Sequence, residues 1–376
     1  MKKVDRNTKI AVLIRNFSES AGGAEKYCYE LTKLLVKQFD VHLFTQSFQE
    51  NINGLKIHKV PAIKKSRFMN QILFSFYTKF LTKNKFDIIH SHDIVTHADV
   101  FTVHVDCFRN IISKKRGLNK VLSYISILLS PRLLSYFLLE KLAYRNNKRK
   151  RFICVSNKLK NLVVENYPNS KLEVDIAIPG MHINMKRNKV NEELLRKNLK
   201  IPSDAIVFLF VGNDFLRKGL QYLIGALEKS KLKNFKLLVA GNGKTEDVNF
   251  SSKFLKKNTI FLGEFKDMVT LYDISDMLVH PTQGDTFGMT VLEAMSRRKP
   301  VIVSSAKYCG ISESLSNEDA LILKSPKSIT EILHFIELLT NDSDLYKKIA
   351  KSAELKAKSM TWQKTFENTV KSYKKL

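Results

Sequence analysis

Acidic residues are scarce in this chain. Against 63 Lys and Arg stand 36 Asp and Glu in 376 residues, a formal net charge of +27. Such an imbalance draws anionic partners toward the protein surface. Phosphates, acidic lipid headgroups and nucleic acid all qualify, so charge alone does not choose among them. Cysteine is also scarce: Cys28, Cys107, Cys154 and Cys309 occur without any C-x-x-C pair. That scatter argues against a disulfide framework or a zinc site and fits reduced thiols in a cytosolic setting. Met1 to Lys9 lacks the apolar core of a signal peptide. The longest apolar stretch, Val121 to Leu139, is interrupted by Ser123, Ser126, Ser130, Pro131 and Arg132. It has about the length of a bilayer span, but a Pro-Arg pair at its centre would be costly there. The expectation is a segment that is soluble or lies on a surface. No short-period repeat, RNP-type aromatic strand or helix-turn-helix is found, which argues against a nucleic-acid-binding module.

What is present is a globular composition, 44% apolar, which excludes a mainly disordered chain. At about 150 residues per domain, the length predicts two domains or more. Short β-branched runs alternate with longer helical patterns, the rhythm of parallel sheets built from βαβ units. Strands are predicted at Lys9 to Ile14, Val41 to Phe44, Lys56 to Val60, Asp87 to His90, Phe101 to His104 and Phe152 to Val155, with helices such as Ala24 to Lys37 and Arg67 to Leu81 between them. Pro179 to Ser203 breaks the rhythm and reads as a linker. A second series follows at Ile206 to Val211, Lys236 to Ala240, Thr259 to Leu262, Met277 to His280 and Pro300 to Ser304. Two or three amphipathic helices are expected over Lys327 to Leu376. Ligands of such sheets bind outside the carboxyl ends of the strands, so chemistry is expected just after strands, in a cleft between the two domains.

The richest signal is His280-Pro281-Thr282-Gln283-Gly284-Asp285-Thr286-Phe287-Gly288-Met289-Thr290-Val291-Leu292-Glu293-Ala294-Met295. A strand ends, a glycine-containing loop follows, and a helix begins near Gly288. The first amides of that helix, from Phe287 and Gly288 through Met289 and Thr290, suit a phosphate. Glu293 is placed to accept hydrogen bonds from ribose hydroxyls, and Asp285 from sugar hydroxyls; a capped helix with acidic residues around its start explains the same pattern. In Phe208 to Gly219 a buried strand turns into a helix start carrying Arg217 and Lys218, a fork and a point charge for phosphate, or a solvated basic pair. Gly22 and Gly23, after the first strand, permit a close backbone approach, or form a plain turn. Gly241-Asn242-Gly243 follows another strand. Among the histidines at strand ends, His104 is the candidate, with His90 and His92 as rivals and a structural role as the alternative.

An acidic residue, seven others and a Glu, inside F-G-x-x-x-L-E-A-M, resembles the signature of the retaining GT-B glycosyltransferases called family four. Here the first acid is Asp285, one methylene shorter than the usual Glu. V-G-x-D-F-x-R-K-G is similar to the lipopolysaccharide core glucosyltransferases, which attach a hexose to an inner-core heptose. The resemblance implies an α/β chain of two Rossmann-like doubly wound domains. The expected division is an N-terminal acceptor-binding domain over 1–180, a linker over 181–203, a nucleotide-sugar domain over 204–358 and a C-terminal helix over 359–376 returning to the first. It further implies that Lys218 holds the donor diphosphate, with Arg217 compensating for the Arg replaced by Asn213. Asp285 and Glu293 would hold the donor, Gly22 and Gly23 face its phosphate and sugar, His104 touch the sugar, and Gly243 lie near the nucleotide. Glu25 is expected as a helix N-terminal charge. No metal or cofactor is implied, and a UDP-hexose is the expected donor.

Basic residues gather in the first half at Lys64, Lys65 and Arg67, at Lys114, Lys115 and Arg116, and over Arg145 to Arg151. With the apolar stretch and its Tyr124, Tyr136 and Phe137, they suit an anionic membrane surface, or a core helix with a solvated basic face. The overall expectation is a hexosyltransferase for lipopolysaccharide core or other surface polysaccharide, acting on a glycan or lipid-linked acceptor. It would be cytoplasmic and peripheral at the inner face of the membrane. A sugar-nucleotide epimerase of the same fold and a basic nucleic-acid-binding protein are the rival readings.

Overall fold

The computed structural model describes residue 5 and residues 7–113, 118–145, 150–170, 172–182 and 187–376. Lys114, Lys115 and Arg116 lie outside the described residues, as do residues 146–149 of the last basic run. Two compact units emerge, Met1–Pro179 with Trp362–Leu376, and Gly180–Thr361.

The first unit is built on seven parallel strands: β1 (Lys9–Leu13), β2 (Asp40–Thr45), β3 (Lys56–Lys59), β4 (Ile88–Ser91), β5 (Val100–Val103), β6 (Arg151–Cys154) and β7 (Glu173–Ile176). Their order is β3-β2-β1-β4-β5-β6-β7. Helices α1 (Gly23–Leu35), α2 (Arg67–Thr82), α3 (Leu118–Leu129), α4 (Pro131–Ala143) and α5 (Asn157–Asn166) connect them. Ile10 to Leu13 are fully buried, as a central parallel strand covered on both faces requires. The apolar stretch is two helices, broken where Ser130 accepts the Leu133 N–H at 3.4 Å and Pro131 opens α4; proline fits the first turn, where its missing N–H is not needed. No described helix is long and apolar enough to cross a membrane.

The second unit holds α6 (Lys189–Asn198), β8 (Ile206–Val211), α7 (Leu220–Lys229), β9 (Phe235–Ala240), β10 (Thr259–Gly263), α8 (Met268–Ile274), β11 (Met277–His280), α9 (Met289–Ser296), β12 (Val301–Ser304), β13 (Leu321–Leu323), α10 (Ile329–Asn341) and α11 (Ser343–Ser359). Its sheet runs β10-β9-β8-β11-β12-β13, again parallel. Phe208, Phe210, Leu237, Val239 and Ile302 fill its core with Leu223 and Ile224 of α7. In both sheets the order reverses beside the first strand, between β1 and β4 and between β8 and β11. That is the switch point at which open α/β sheets leave a crevice.

The structure corrects the expected linker. Residues 181–203 contain α6 and belong to the second unit. Arg187 Nε bonds Glu192 at 2.8 Å, and Arg196 donates to the Ile274 carbonyl at 3.2 Å. None of the residues of α6 is buried, so the Arg187–Glu192 pair, the Asn188 cap and the Arg196 hydrogen bond hold it, with no buried apolar stripe to be read. Strands β7 and β13 are also absent from the sequence expectation. One carries charges at alternate positions and the other spans three residues.

The chain ends in α12 (Trp362–Tyr373), part of the first unit. Trp362 meets Tyr27 edge-on at 5.7 Å, Thr365 donates to the Ile178 carbonyl at 2.6 Å, and Tyr373 reaches His90 Nδ1 at 2.6 Å. His90 stacks on His92 at 4.6 Å and His92 on His104 at 5.3 Å. Burial pushes His90 and His104 down to about 3 and His92 well below its ordinary value, so all three are neutral at pH 7. Because their folded values lie below the unfolded 6.5, stability is full above pH 6.5 and falls as pH drops toward 3, where only the unfolded chain takes up protons. We predict a loss of up to three protons' worth, about 1.4 kcal/mol per proton and pH unit. Urea unfolding between pH 7 and pH 5 should show it, and His92→Phe should flatten the slope.

Candidate active site of the second unit

Three loops meet at the carboxyl ends of β8, β11 and β12. After β8, Asp214 caps the short helix Phe215–Lys218, accepting the Arg217 N–H at 3.0 Å. Gly219 then turns left-handed at φ 83°, and a Cβ there would lie 2.1 Å from the Pro281 carbonyl oxygen. Only glycine allows the loop after β8 to press on the loop after β11 so closely. Two hydrogen bonds fasten the contact: the Gln283 N–H donates to the Arg217 carbonyl at 2.8 Å, and the Arg217 side chain donates through Nη1 to the Gly284 carbonyl at 2.5 Å. Asp285 in turn donates to the Tyr308 carbonyl at 2.8 Å and accepts from Gly310 at 3.3 Å.

This framework brings Lys218 and Asp285 together: the Lys218 ammonium bonds Asp285 Oδ2. The fully buried His280 meets the same oxygen through Nε2 at 3.1 Å. Burial alone would raise the Asp285 carboxyl. The His280 hydrogen bond and the Lys218 charge outweigh it and hold the group well below the usual carboxylate range. His280 is itself pushed down, chiefly by burial, and so is neutral. Its single proton belongs on Nε2, facing the carboxylate. Nδ1, which has no hydrogen-bond partner, is then a bare acceptor, cheaper to leave unmade than a buried N–H.

Gly288 caps α9 at φ 106°, where a Cβ would lie 2.7 Å from Cys309 Sγ. Met289 and Thr290 form the first turn beyond it, and the buried Thr290 hydroxyl has no partner. Phe287 points its ring into the protein interior while its carbonyl accepts from Ile311 at 2.6 Å. Glu293, inside α9, accepts from the Tyr272 hydroxyl at 2.9 Å; burial first, and that carboxylate second, raise Tyr272 well above its usual value. Arg217 is half-exposed and paired with Asp214 at 3.0 Å. Gly243 lies against the Phe215 ring, a packing reason for a glycine there.

The remaining candidates belong to the first unit. Gly22 is the extended cap of α1 and Gly23 its first residue, with the Glu25 carboxylate folded over them. His104 follows β5, its Nε2 3.0 Å from His92 Nδ1. His90 and His92, weighed as its rivals, are its neighbours in one stack.

Sequence reasoning passed over His280 and Tyr272. His280 was visible as a strand end five residues before Asp285; nothing local marks Tyr272, which comes from another helix. His280, Asp285 and Cys309 place ligand atoms within 4.8 Å of one another, although the Lys218 ammonium already holds the shared carboxylate.

Residues 191–356 match the family described as Glycosyl transferases group 1, and residues 21–174 match Glycosyltransferase Family 4. The chain belongs to the family-four glycosyltransferases. It is similar to an uncharacterized glycosyltransferase of Methanocaldococcus jannaschii, 26% identical over 94% of both chains. It is also similar to the lipopolysaccharide glucosyltransferase WaaG of Escherichia coli, 21% identical over 83% of this chain and 84% of that one. A crystal structure of WaaG superposes with TM-score 0.79 over 96% of this chain and 98% of that one, at 19% identity. Anabaena HepE solved with UDP-glucose gives 0.71 over 98% and 100%, at 16%. Both share the GT-B fold. The matched residues 191–356 include the loops that meet at the switch point of the second sheet.

His280→Leu removes the neutral donor from Asp285 and leaves Lys218 in place. Hydrogen bonds to charged groups contribute about 1.5–3 kcal/mol, so we predict glycosyl transfer about tenfold slower or worse. Steady-state kcat and KM, with thermal unfolding as control, check this; an unchanged kcat would mean that His280 only fills space.

Proposed function

We propose that this glycosyltransferase moves a hexosyl group from a nucleoside diphosphate sugar, a UDP-hexose, to a glycan or lipid-linked acceptor with retention of configuration. Lipopolysaccharide core or another cell-surface polysaccharide is the product, made at the inner face of the cytoplasmic membrane. The observation that carries the reading is the join at the ends of β8 and β11. There a lysine ammonium, a helix N-terminus and the orphaned Thr290 hydroxyl lie on loops held together by Asp285. Cation, amides and hydroxyl are the donor set a diphosphate needs. The HepE complex with UDP-glucose and the glucosyltransferase name of WaaG support UDP-glucose chemistry on this fold.

In this reading the bond between the anomeric carbon and the diphosphate oxygen breaks, and its electron pair leaves with the diphosphate. Lys218, Arg217 and the amides from Gly288 to Thr290 stabilise that growing charge, usually the largest catalytic effect. Asp285 and Glu293 hold hydroxyls of the donor. Gly22, Gly23 and His104 are assigned to its phosphate and sugar, and Gly243 to the neighbourhood of the nucleotide. No side chain serves as nucleophile. The acceptor hydroxyl attacks the face the diphosphate leaves, and its proton passes to a departing phosphate oxygen. The phosphate must compete with Asp285 for Lys218, so donor binding loosens one ion pair and forms another. No resident metal takes part.

A panel of UDP, GDP and ADP sugars, read by thermal unfolding and slow donor hydrolysis, tests the proposal. A UDP-hexose at about 100 times its Kd should add about 2.7 kcal/mol of stability. Lys218→Ala should lose that gain, and a chelator should leave hydrolysis unchanged. If no nucleotide sugar stabilises the wild type, the site assignment is wrong.

A further inference from the structure

Helix α2 wears its amphipathic pattern inside out. It buries Gln71, Ser75, Thr78 and Thr82 together with Phe74, and exposes Met69, Ile72, Phe76 and Phe80, the last two 68% and 74% exposed. The buried polar groups are satisfied locally. Thr78 and Thr82 donate to carbonyls one turn back at 2.6 and 2.7 Å, Gln71 donates to Ile94 at 2.6 Å, and Ser75 accepts from Thr96 at 3.3 Å. The exposed side chains recur at helical spacing and form one stripe. Helix α4 packs against both α2 and α3. Leu138 and Leu142 of α4 are exposed as well, and so are Ile125, Leu128 and Leu129 of α3. Large apolar side chains exposed together on helices packed against one another mark an interaction surface.

The charge around it names the partner. No Asp or Glu occurs between Glu50 and Asp87, or between Asp106 and Glu140. Glu140 itself is buried, accepting from Phe108 and Arg109 backbone amides at 2.5 and 3.0 Å. The exposed charges of these helices and their flanks are cationic: Lys64, Lys65 and Arg67 before and at the start of α2, Lys79 and Lys83 at its end, and Arg132, Lys141 and Arg145 on and after α4. We infer that the outward faces of α2, α3 and α4 form one docking surface for an anionic lipid bilayer, with Phe76 and Phe80 as its principal anchors. Apolar side chains entering the acyl boundary, ringed by cations at headgroup level, are the arrangement such binding needs. A nucleic acid would leave the apolar centre unused. A second copy of the chain would set two basic rims against each other. The inference adds α2 to the membrane reading above and rests on that reading only for its purpose, the meeting of enzyme and lipid-linked acceptor in two dimensions.

Vesicle sedimentation of the full chain tests it, using phosphatidylcholine alone and phosphatidylcholine with phosphatidylglycerol. The wild type should bind the anionic vesicles, weaken as salt rises and bind the neutral vesicles poorly. The double variant Phe76→Ser, Phe80→Ser should bind about tenfold more weakly or worse, with unchanged thermal unfolding and unchanged stabilisation by nucleotide sugar. Absence of wild-type binding to anionic vesicles overturns the inference, as does a variant that binds like the wild type. Concentration-dependent self-association lost in the variant also overturns it and assigns the face to a second copy. Donor stabilisation is read in the same samples. Vesicle binding without it would sink the proposed donor and leave the docking surface standing; the converse would do the opposite.

Discussion

A carboxylate kept ionised in a largely buried position constrains everything around it. Asp285 is ionised because Lys218 and His280 converge on one of its oxygens. The three residues come from the ends of two strands that are neighbours only because the strand order reverses there. Desolvating such a pair costs about as much as its attraction returns, so its value lies in fixing geometry. The ion pair joins the loop after β8 to the loop after β11, and Asp285's own backbone joins both to the loop after β12. Gly219 and Gly288 are glycines for the same reason: at each, a side chain would strike the neighbouring loop.

That block leaves a particular set of groups with capacity to spare. Thr290 has a buried hydroxyl without a partner, and α9 begins beside it. Lys218 is engaged by a carboxylate, whose place at the ammonium a phosphate can take while His280 still donates to Asp285.

The first unit uses different physics. Its interior at the ends of β4 and β5 is a neutral stack of imidazoles anchored by a tyrosine from the last helix. Much of α2 reverses the usual burial rule, with hydroxyls and an amide inside beside Phe74, and Phe76 and Phe80 outside. Neither feature follows from hydrophobic patterning, because a helix whose inner face is polar presents the same period as one whose inner face is apolar.

Much was legible without coordinates. Buried parallel strands announce themselves as β-branched runs, so most strands of both sheets were placed to within a residue or two. Local chemistry was equally plain around Asp285 to Glu293 and at Arg217-Lys218, because a turn, a helix start and its charged neighbours lie within a dozen residues of one another. Three kinds of feature needed the tertiary structure. α6 is tied to a distant helix by arginine hydrogen bonds to its carbonyls, so no buried apolar period betrays it. The pairing of Lys218 with Asp285 joins residues 67 positions apart and exists only because β8 and β11 lie side by side. Which face of α2 turns outward depends on what the rest of the first unit offers it: carbonyls and amides for Gln71 and Ser75, and water for Phe76 and Phe80. The sequence by itself determined most of the elements, the fold class and the family; packing decided which of its charged and apolar groups meet each other and which are left to meet a ligand or a membrane, since those encounters are between residues remote along the chain.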